Sequence, residues 1–329
     1  MKITKRMIPL LLCACLLLLA ACGGAPEAQT TTTTEKPLVP VRIAALKGPT
    51  GVGVVRLTQD AARYPLQFVG APSDMAALLA GASASVDVAA LPLNLAASLY
   101  NKTNGAIQIL AVNTLGVLYI VENGTSIQKI SDLKGKTICA VGQGATPEYV
   151  LNHLLRQNGL DPKKDLTIEY KQDPSEAATL AATGRADICL LPEPNVTAAM
   201  AKNADLRVAL DLTREWEAQE GNGKLAQGCL AVRRAFAQEH PEELAAFLTA
   251  YRASVDFVNT EPDAAAELVA AQGILPSAAV ARAAIPKCNI VCITGAEMKP
   301  IAQKNLQLLF DADKTAVGGA MPKDDFYAG

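Results

Sequence analysis

Two short glycine-containing turns carry the residue types in this sequence that are best suited to ligand binding. The first turn, Lys47 to Gly51, follows a predicted buried strand at 41–46 and precedes a helix predicted to open at about Val52. The first backbone N–H groups of a helix have no intrahelical partners, so such a turn attracts anions and polarised oxygens. Lys47 adds a cation and Thr50 a hydroxyl. The turn is therefore predicted to form one wall of a small-molecule site, although a plain strand-to-helix connection would use the same glycines.

A second turn of this kind runs from Gly142 to Thr146, after a predicted strand at 137–141. Thr146 suits the N-cap position and Pro147 the first helical position. Apolar residues at helical spacing then continue until Gly159. The sequence thus predicts a second outward-facing helix N-terminus, and two such ends on separate lobes could hold one ligand between them.

Strands and helices alternate around both turns. Further strands are predicted near 66–69, 86–91, 107–112, 118–121, 166–170, 186–191, 207–210 and 229–232, and helices near 73–80, 93–100, 147–158, 175–182 and 196–202. This alternation favours parallel sheets covered by helices, with ligands at the carboxyl edge. The pattern starts over at about 118, which predicts two similar lobes.

The first 21 residues have the layout of a secretory signal. Three basic residues precede an apolar run from Met7 to Leu19, which is short for a membrane span. The run ends in Leu19-Ala20-Ala21-Cys22, which resembles the lipobox of bacterial lipoproteins, so Cys22 is predicted to carry the lipid anchor. Ordinary cleavage that leaves Cys22 as a free thiol is the alternative. Residues 22–40 are predicted to be a disordered linker, and the protein is expected outside the cytoplasm, lipid-anchored to the bacterial cell membrane.

Composition and charge exclude a nucleic-acid partner. Removing the 21-residue leader from the 329 residues leaves 308, enough for two lobes, with 27 basic and 32 acidic residues and a net charge of −5. No basic stripe is present. Only 4% of the residues are aromatic, which leaves no stacking platform for bases.

The cysteines predict neither a metal site nor another cofactor. Besides Cys22, the mature chain has five: Cys139, Cys189, Cys229, Cys288 and Cys292. The first three lie in apolar runs and are predicted to act as small buried hydrophobes. A disulfide between Cys288 and Cys292 is left open, because sequence does not establish its geometry. There is no CxxC pair, and His153 and His240 lie far from the cysteines in sequence.

Three passages in order resemble the periplasmic-binding-protein family of nitrate, taurine and sulfonate receptors and thiamin-pyrimidine binding proteins. They are the strand-turn-helix start, DLKGKTI…GQGATPE…GL between Asp132 and Leu160, and GRADICLLPEP at 184–194. The similarity covers nearly all of the mature chain. It implies an α/β protein with the type II periplasmic-binding-protein fold, two Rossmann-like lobes joined by two crossing strands. Lobe 1 would comprise residues 41–114 and 208–329, and lobe 2 residues 115–207.

The resemblance also implies the ligand contacts, each in a loop at the carboxyl end of a predicted strand. They are Lys47, Gly48, Pro49, Thr50, Gly51, Val52, Leu91, Pro92, Leu93, Asn94, Asn113, Thr114, Gly142, Gln143, Gly144, Ala145, Thr146, Glu193 and Pro194. Trp216, the only tryptophan, is added because it lies in a polar stretch and could line the cleft or stack on a flat ligand. The alternative is that Trp216 covers one end of lobe 1.

The resemblance implies a monomeric solute-binding lipoprotein that closes around a small molecule and delivers it to the permease and ATPase of an ABC importer. The site loops are rich in amides and hydroxyls and poor in acids, which favours a small anionic or polar organic ligand. No Ser-His-Asp arrangement, close carboxylate pair or phosphate loop appears, so an enzyme is not expected. An enzyme of the same fold, similar to pyrimidine synthases or chorismate dehydratases, and a ligand-sensing lipoprotein are the alternatives.

Overall fold

Short apolar runs form a first sheet of six strands. The computed structural model describes residues 39–80, 84–219 and 221–328; the leader and Cys22 lie outside them. The strand order is β11-β4-β10-β3-β1-β2. The strands are β1 (Ile43–Leu46), β2 (Leu66–Val69), β3 (Val88–Pro92), β4 (Ile107–Leu115), β10 (Ala226–Arg233) and β11 (Ile290–Ile293). Successive side chains point to opposite faces, so Ile43 and Ala45 enter one hydrophobic core and Ala44 the other.

A second sheet of five strands follows the same rule. Its order is β7-β6-β8-β5-β9, with β5 (Leu118–Asn123), β6 (Thr137–Val141), β7 (Thr167–Lys171), β8 (Ile188–Pro192) and β9 (Leu206–Asp211). Two further hydrophobic cores lie on its faces. Because both faces are covered, the inner strands β6, β8 and β5 read as largely apolar runs such as Ile188–Pro192.

Both sheets are mixed, whereas the alternating pattern predicts parallel sheets. β1 pairs in parallel with β2 and β3, and β6 with β7 and β8. The antiparallel strands are β10 and β11 in the first sheet and β5, beside β8 and β9, in the second. Only Gly116 and Val117 separate β4 from β5, so the chain enters the second sheet without an intervening helix.

Helices cover the faces of both sheets. They are α1 (Pro49–Val52), α2 (Pro72–Ala80), α3 (Leu93–Lys102), α4 (Thr146–Gln157), α5 (Pro174–Ala182), α6 (Asn195–Met200), α7 (Leu212–Glu217), α8 (Arg234–Glu239), α9 (Pro241–Thr260), α10 (Pro262–Ala271), α11 (Ala278–Ala284) and α12 (Gly295–Ala312). Short 3₁₀ turns lie at Val55–Asp60, Ile130–Leu133, Ile285–Lys287, Lys314–Val317 and Asp324–Phe326. Among the residues described, no helix is both long and apolar enough to cross a bilayer.

The chain passes between the sheets at two places. The first passage joins β4 to β5, and the second follows α7 and enters β10. Residues 208–211, which the sequence assigns to lobe 1, lie in β9 and pair with β5 of the second sheet. The next segment, which reads as a polar loop, forms α7, because Leu212 and Trp216 are buried in a core of the second sheet.

Candidate functional site

A cavity of about 700 Å³ lies between the two sheets, at the ends of strands from both. This volume is within the range of small-molecule pockets, roughly 300–1,000 Å³. Of the residues expected to bind ligand, the cavity is lined by Lys47, Gly48, Pro49, Thr50, Pro92, Asn94, Thr114, Gly144, Ala145, Thr146, Glu193 and Pro194. The turns at Gly48 and Gly144, one from each sheet, therefore face the same space.

The β1–α1 turn forms part of the first wall. Its path is fixed by backbone hydrogen bonds from the Lys47 N–H to the Val69 carbonyl (2.9 Å) and from the Gly51 N–H to the Gly48 carbonyl (3.0 Å). Gly48 has a φ of 103°, which favours glycine. Gly51 and Val52 were expected at the ligand but are buried under the turn, because α1 packs against the sheet at once.

A chain of buried amides and hydroxyls supports this wall from below. The Asn113 side-chain amide donates to the Thr50 carbonyl (3.2 Å), and the Thr114 hydroxyl donates to Asn113 Oδ1 (3.0 Å). Asn113 is 1% exposed and does not line the cavity, so it positions Thr50 while Thr114 faces the cavity. Gly228 makes room for this contact, since a Cβ there would lie 2.5 Å from both Asn113 Oδ1 and Thr50 Cγ2.

The β3–α3 junction contributes alternate residues. Pro92 and Asn94 line the cavity, and the Asn94 amide reaches the Ala316 carbonyl at 3.5 Å. Leu91 and Leu93, both expected at the ligand, point into the hydrophobic core instead. The difference follows from the alternation of side-chain directions at the end of a strand.

The β6–α4 turn forms the opposite wall, and one of its amides already has a partner. The Gly144 N–H donates to Glu148 Oε2 (2.6 Å), so this donor, which was expected to face a ligand, is already paired within the turn. The helix begins at Thr146, with Ala145 rather than Thr146 in the extended N-cap position. Gly142 and Gln143 do not line the cavity.

Glu193 places a buried carboxyl group at the cavity. The residue is 1% exposed and accepts hydrogen bonds from the Thr197 backbone N–H (3.2 Å) and hydroxyl (3.1 Å). Lys287 Nζ, from the 3₁₀ turn beside the first sheet, lies 3.9 Å from Glu193 Oε1. Burial raises the pKa of Glu193 above its usual range, while Thr197 and Lys287 oppose this.

Trp216 does not line this cavity. Its side chain is fully buried in a core of the second sheet, with its ring 5.1 Å from that of His153. The polar neighbours that suggested exposure lie on the other faces of α7, whose buried residues are Leu212, Thr213 and Trp216. The prediction that Trp216 meets the ligand is therefore not supported by its position.

Sequence reasoning missed several residues of the cavity, of which Gln227 has the clearest chemistry. Gln227 lies in β10, and among the described residues its buried Nε2 has no hydrogen-bond partner. A polar residue just before the apolar run Cys229–Val232 was the available signal. The other missed residues are Leu46, Pro72, Leu95, Ser98, Val117, Leu118, Pro147, Pro192, Asn195, Thr315 and Ala316.

Two α/β sheets that face each other across a ligand-sized cavity define a periplasmic-binding-protein fold of type II, which confirms the predicted fold class. Within the described residues no cluster of three or more His, Cys, Asp or Glu side chains is arranged to hold a metal ion. The family model described as "NMT1/THI5 like" matches residues 102–265, about half of the chain. The chain belongs to this family, and the resemblance noted in its sequence is confirmed.

Solved structures of low sequence identity share the fold. An ABC transporter protein from Parabacteroides distasonis is 23% identical, with a TM-score of 0.75 over 88% of this chain and 99% of that one. The periplasmic aliphatic sulphonate binding protein SsuA from Escherichia coli is 19% identical, with a TM-score of 0.66 over 88% and 93%. The alkanesulfonate-binding protein SsuA from Xanthomonas axonopodis pv. citri, bound to MOPS, is 18% identical, with a TM-score of 0.58 over 88% and 96%. No curated protein matches the chain.

Proposed function

We propose that this protein is an extracytoplasmic solute-binding lipoprotein that captures a small anionic or polar organic molecule and delivers it to an ABC importer. The observation that carries the proposal is the cavity shared by the two sheets, whose lining includes Gln227 Nε2, a buried donor with no partner within the described part of the chain. An unpaired buried amide costs free energy, which a ligand oxygen would recover. Substrate-binding components of ABC transporters share this fold, which supports the same role here.

The chemistry of the lining favours a ligand with an oxyanion head and an apolar body. Lys47 supplies a cation and Gln227 an amide donor, whereas the Thr50 and Thr114 hydroxyls already donate to the Leu46 carbonyl (3.4 Å) and to Asn113 Oδ1 (3.0 Å). Prolines and aliphatic side chains form much of the remaining surface, including Pro49, Pro72, Pro92, Leu95, Val117 and Leu118. Sulfonates and carboxylates with short carbon chains combine these features.

Two lobes, one built on each sheet, would close on the ligand by rotation at the two passages of the chain between them. The residues that line the cavity from the two sides then contact the ligand together. The closed form is favoured by as much as the ligand's affinity for the two forms differs. Lipid on Cys22 would hold the monomer at the membrane, where a permease and its ATPase collect the solute.

A thermal-shift screen of the mature protein tests this function. The panel contains short alkanesulfonates, taurine, nitrate, short carboxylates and aminopyrimidines. A ligand at about a hundredfold its Kd adds about 2.7 kcal/mol to the free energy of unfolding, which is a clear shift in Tm. Recovery of the bound compound unchanged, by NMR, supports capture, whereas its conversion to product supports the enzyme alternative. A panel without any shift would contradict the proposed ligand class.

Lipidation and delivery need separate tests. Mass spectrometry of the protein expressed in its native host should find acyl chains on Cys22, and Cys22→Ala should move the protein from the membrane fraction to the soluble one. A Cys22→Ala protein that stays in the membrane fraction would contradict the anchor. Uptake of the labelled ligand by cells should require both this protein and an ABC permease.

A further inference from the structure

Two cysteines lie directly opposite each other on neighbouring strands of the second sheet. Cys139 in β6 and Cys189 in β8 are paired in register, and both side chains belong to the same hydrophobic core. Neighbouring strands lie about 4.7–4.9 Å apart, which is within the Cα separation of about 4.4–6.8 Å that a disulfide accepts. The backbone therefore already meets the main distance requirement for a bond between these residues.

Both cysteines are free thiols in this structure. Cys189 Sγ donates to the Ala186 carbonyl at 3.8 Å. Cys229 and Cys288 are buried as well but lie in different cores. Cys288 and Cys292 are both free here.

Cys139 is buried, with 4% of its surface exposed, but it borders an opening in the protein surface. It lines a second cavity, of about 660 Å³, at the edge of the sheet opposite the ligand cavity. Charged residues surround this opening, among them Lys136, Glu169 and Arg185, while Cys189 is fully buried behind it. The neighbouring Cys189 thiol, helped by Lys171, lowers the pKa of Cys139, whereas the Cys139 thiol and burial raise the pKa of Cys189. Because Cys139 lines the opening and Cys189 does not, Cys139 is the thiol that an oxidant meets first.

We propose that Cys139 and Cys189 form an oxidisable dithiol, which closes into a cross-strand disulfide by exchange with small-molecule disulfides outside the cytoplasm. The Cys139 thiolate attacks one sulfur of the small disulfide, breaks its S–S bond and releases one thiol. Cys189 then loses its proton and attacks Cys139 Sγ, which releases the second thiol and forms the Cys139–Cys189 bond. Two protein thiols are oxidised and one small disulfide is reduced to two thiols.

The bond would link the two strands that carry the second wall of the ligand cavity. β6 leads into Gly144–Pro147, and β8 leads into Glu193 and Pro194. Disulfides persist in exported proteins, and a dithiol beside an opening in the protein surface is positioned to equilibrate with that environment. The dithiol proposal rests on the exported location proposed above but not on ligand binding. Evidence against ligand binding would therefore not affect the dithiol proposal, and evidence against the dithiol would not affect ligand binding.

Peptide mass spectrometry of the mature protein tests the dithiol. The protein is incubated with 2-hydroxyethyl disulfide or with dithiothreitol, denatured in an alkylating reagent and digested. We expect the oxidised sample to lose two hydrogen atoms and to give a linked peptide pair through Cys139 and Cys189, with Cys229 and Cys288 still alkylated. Full alkylation of both Cys139 and Cys189 after oxidation would overturn the proposal.

Three alanine variants separate the roles of the two thiols. In Cys189→Ala the reaction should stop at a mixed disulfide on Cys139, whereas in Cys139→Ala the buried Cys189 should remain unmodified. Cys229→Ala, a matched change at another fully buried cysteine, should still form the Cys139–Cys189 link. A mixed disulfide that forms first on Cys189 would overturn the assigned order. The result on the wild-type protein decides the main point even if a variant does not fold.

Discussion

A single side-chain amide gives the cavity its most specific polar feature. Gln227 Nε2 is buried at the cavity and has no hydrogen-bond partner among the described residues, whereas the buried Asn113 amide donates to the Thr50 carbonyl. An unpaired buried donor lowers the stability of the ligand-free protein and gains a partner when an acceptor binds. The Gln227 amide is therefore expected to destabilise the ligand-free protein and to strengthen ligand binding.

Gln227→Leu tests this expectation, since leucine has a similar size and no donor. We expect a weaker Kd by roughly 10- to 150-fold, equivalent to about 1.5–3 kcal/mol for a hydrogen bond to a charged group, measured by calorimetry with a ligand from the screen. The ligand-free variant should be as stable as the wild type or more so in urea unfolding. Gln303→Leu, on the exposed face of α12, is the matched control and should change neither quantity. Unchanged affinity in Gln227→Leu would remove this amide from the site.

A cluster of charged residues lies at the other edge of the first sheet. Asp87 is fully buried and accepts from Arg42 Nη2 (2.8 Å) and Arg233 Nη2 (2.6 Å). Burial raises the pKa of Asp87, but hydrogen bonds from these arginines outweigh it, so the pKa falls below the ordinary value of 3.8. Asp87→Asn should therefore reduce the free energy of unfolding at pH 7 by about 2–4 kcal/mol. The loss would be larger for an ion pair in which both partners were fully buried.

The stability difference between the wild type and Asp87→Asn should depend on pH. A carboxylate whose pKa is lower in the folded protein than in the unfolded chain stabilises the fold at any pH above its pKa in the unfolded chain. That contribution is lost as the pH falls through its pKa in the folded protein. The difference between wild type and Asp87→Asn should thus be complete at pH 7 and shrink below about pH 4 in urea titrations. Asp205→Asn, an exposed change, should show no such difference. A gap that stays constant down to pH 3 would contradict the role of the charge.

At the scale of elements, the β6–α4 turn contains two glycines that differ in the space available for a side chain. Gly142 and Gly144 both have positive φ, 74° and 71°, so a side chain at either costs about 1–2 kcal/mol. A Cβ at Gly142 would lie 2.6 Å from Pro147 Cγ, whereas nothing lies within 4 Å of one at Gly144. Gly142→Ala should therefore destabilise the protein clearly more than Gly144→Ala in urea unfolding. Equal losses would show that the turn shifts to relieve the contact.

The sequence predicted elements better than it predicted the site. Strand and helix positions follow from local apolar patterns, so β1, β6 and their turns were found and correctly placed at one edge of each sheet. β11 was missed because Ile290–Ile293 is short and lies among helices. Thr315 and Ala316 reach the cavity only because the C-terminal segment returns to α3, a long-range contact with no local signal. Trp216 was misplaced because its neighbours in sequence are polar, whereas its neighbours in space are apolar.

At the scale of the whole molecule, a few polar contacts connect the parts built on the two sheets. Asp313, in the segment beside the first sheet, accepts a hydrogen bond from the Tyr149 hydroxyl of α4 (3.2 Å). The same Asp313 caps the turn that carries Thr315 and Ala316 to the cavity, through the Thr315 N–H (2.8 Å). Lys287 makes a similar bridge, since its carbonyl accepts from the Tyr119 hydroxyl (3.1 Å) and its ammonium group lies near Glu193. These contacts join the two parts directly and should exist only when the two parts are close.

Tyr149→Phe tests whether such contacts stabilise a closed form. Burial, and then Asp313, raise the pKa of Tyr149 to about 12, so the hydroxyl keeps its proton and donates at neutral pH. Removing it should disfavour the closed form by about 0.5–1.5 kcal/mol, and the apparent ligand affinity should fall roughly two- to tenfold. Calorimetry measures the affinity, and small-angle scattering should show a larger radius of gyration at subsaturating ligand. Tyr100→Phe is the control, because its hydroxyl bonds Asp325 within the part built on the first sheet and should leave affinity unchanged. Equal affinities for Tyr149→Phe and wild type would mean that this contact does not contribute to closure.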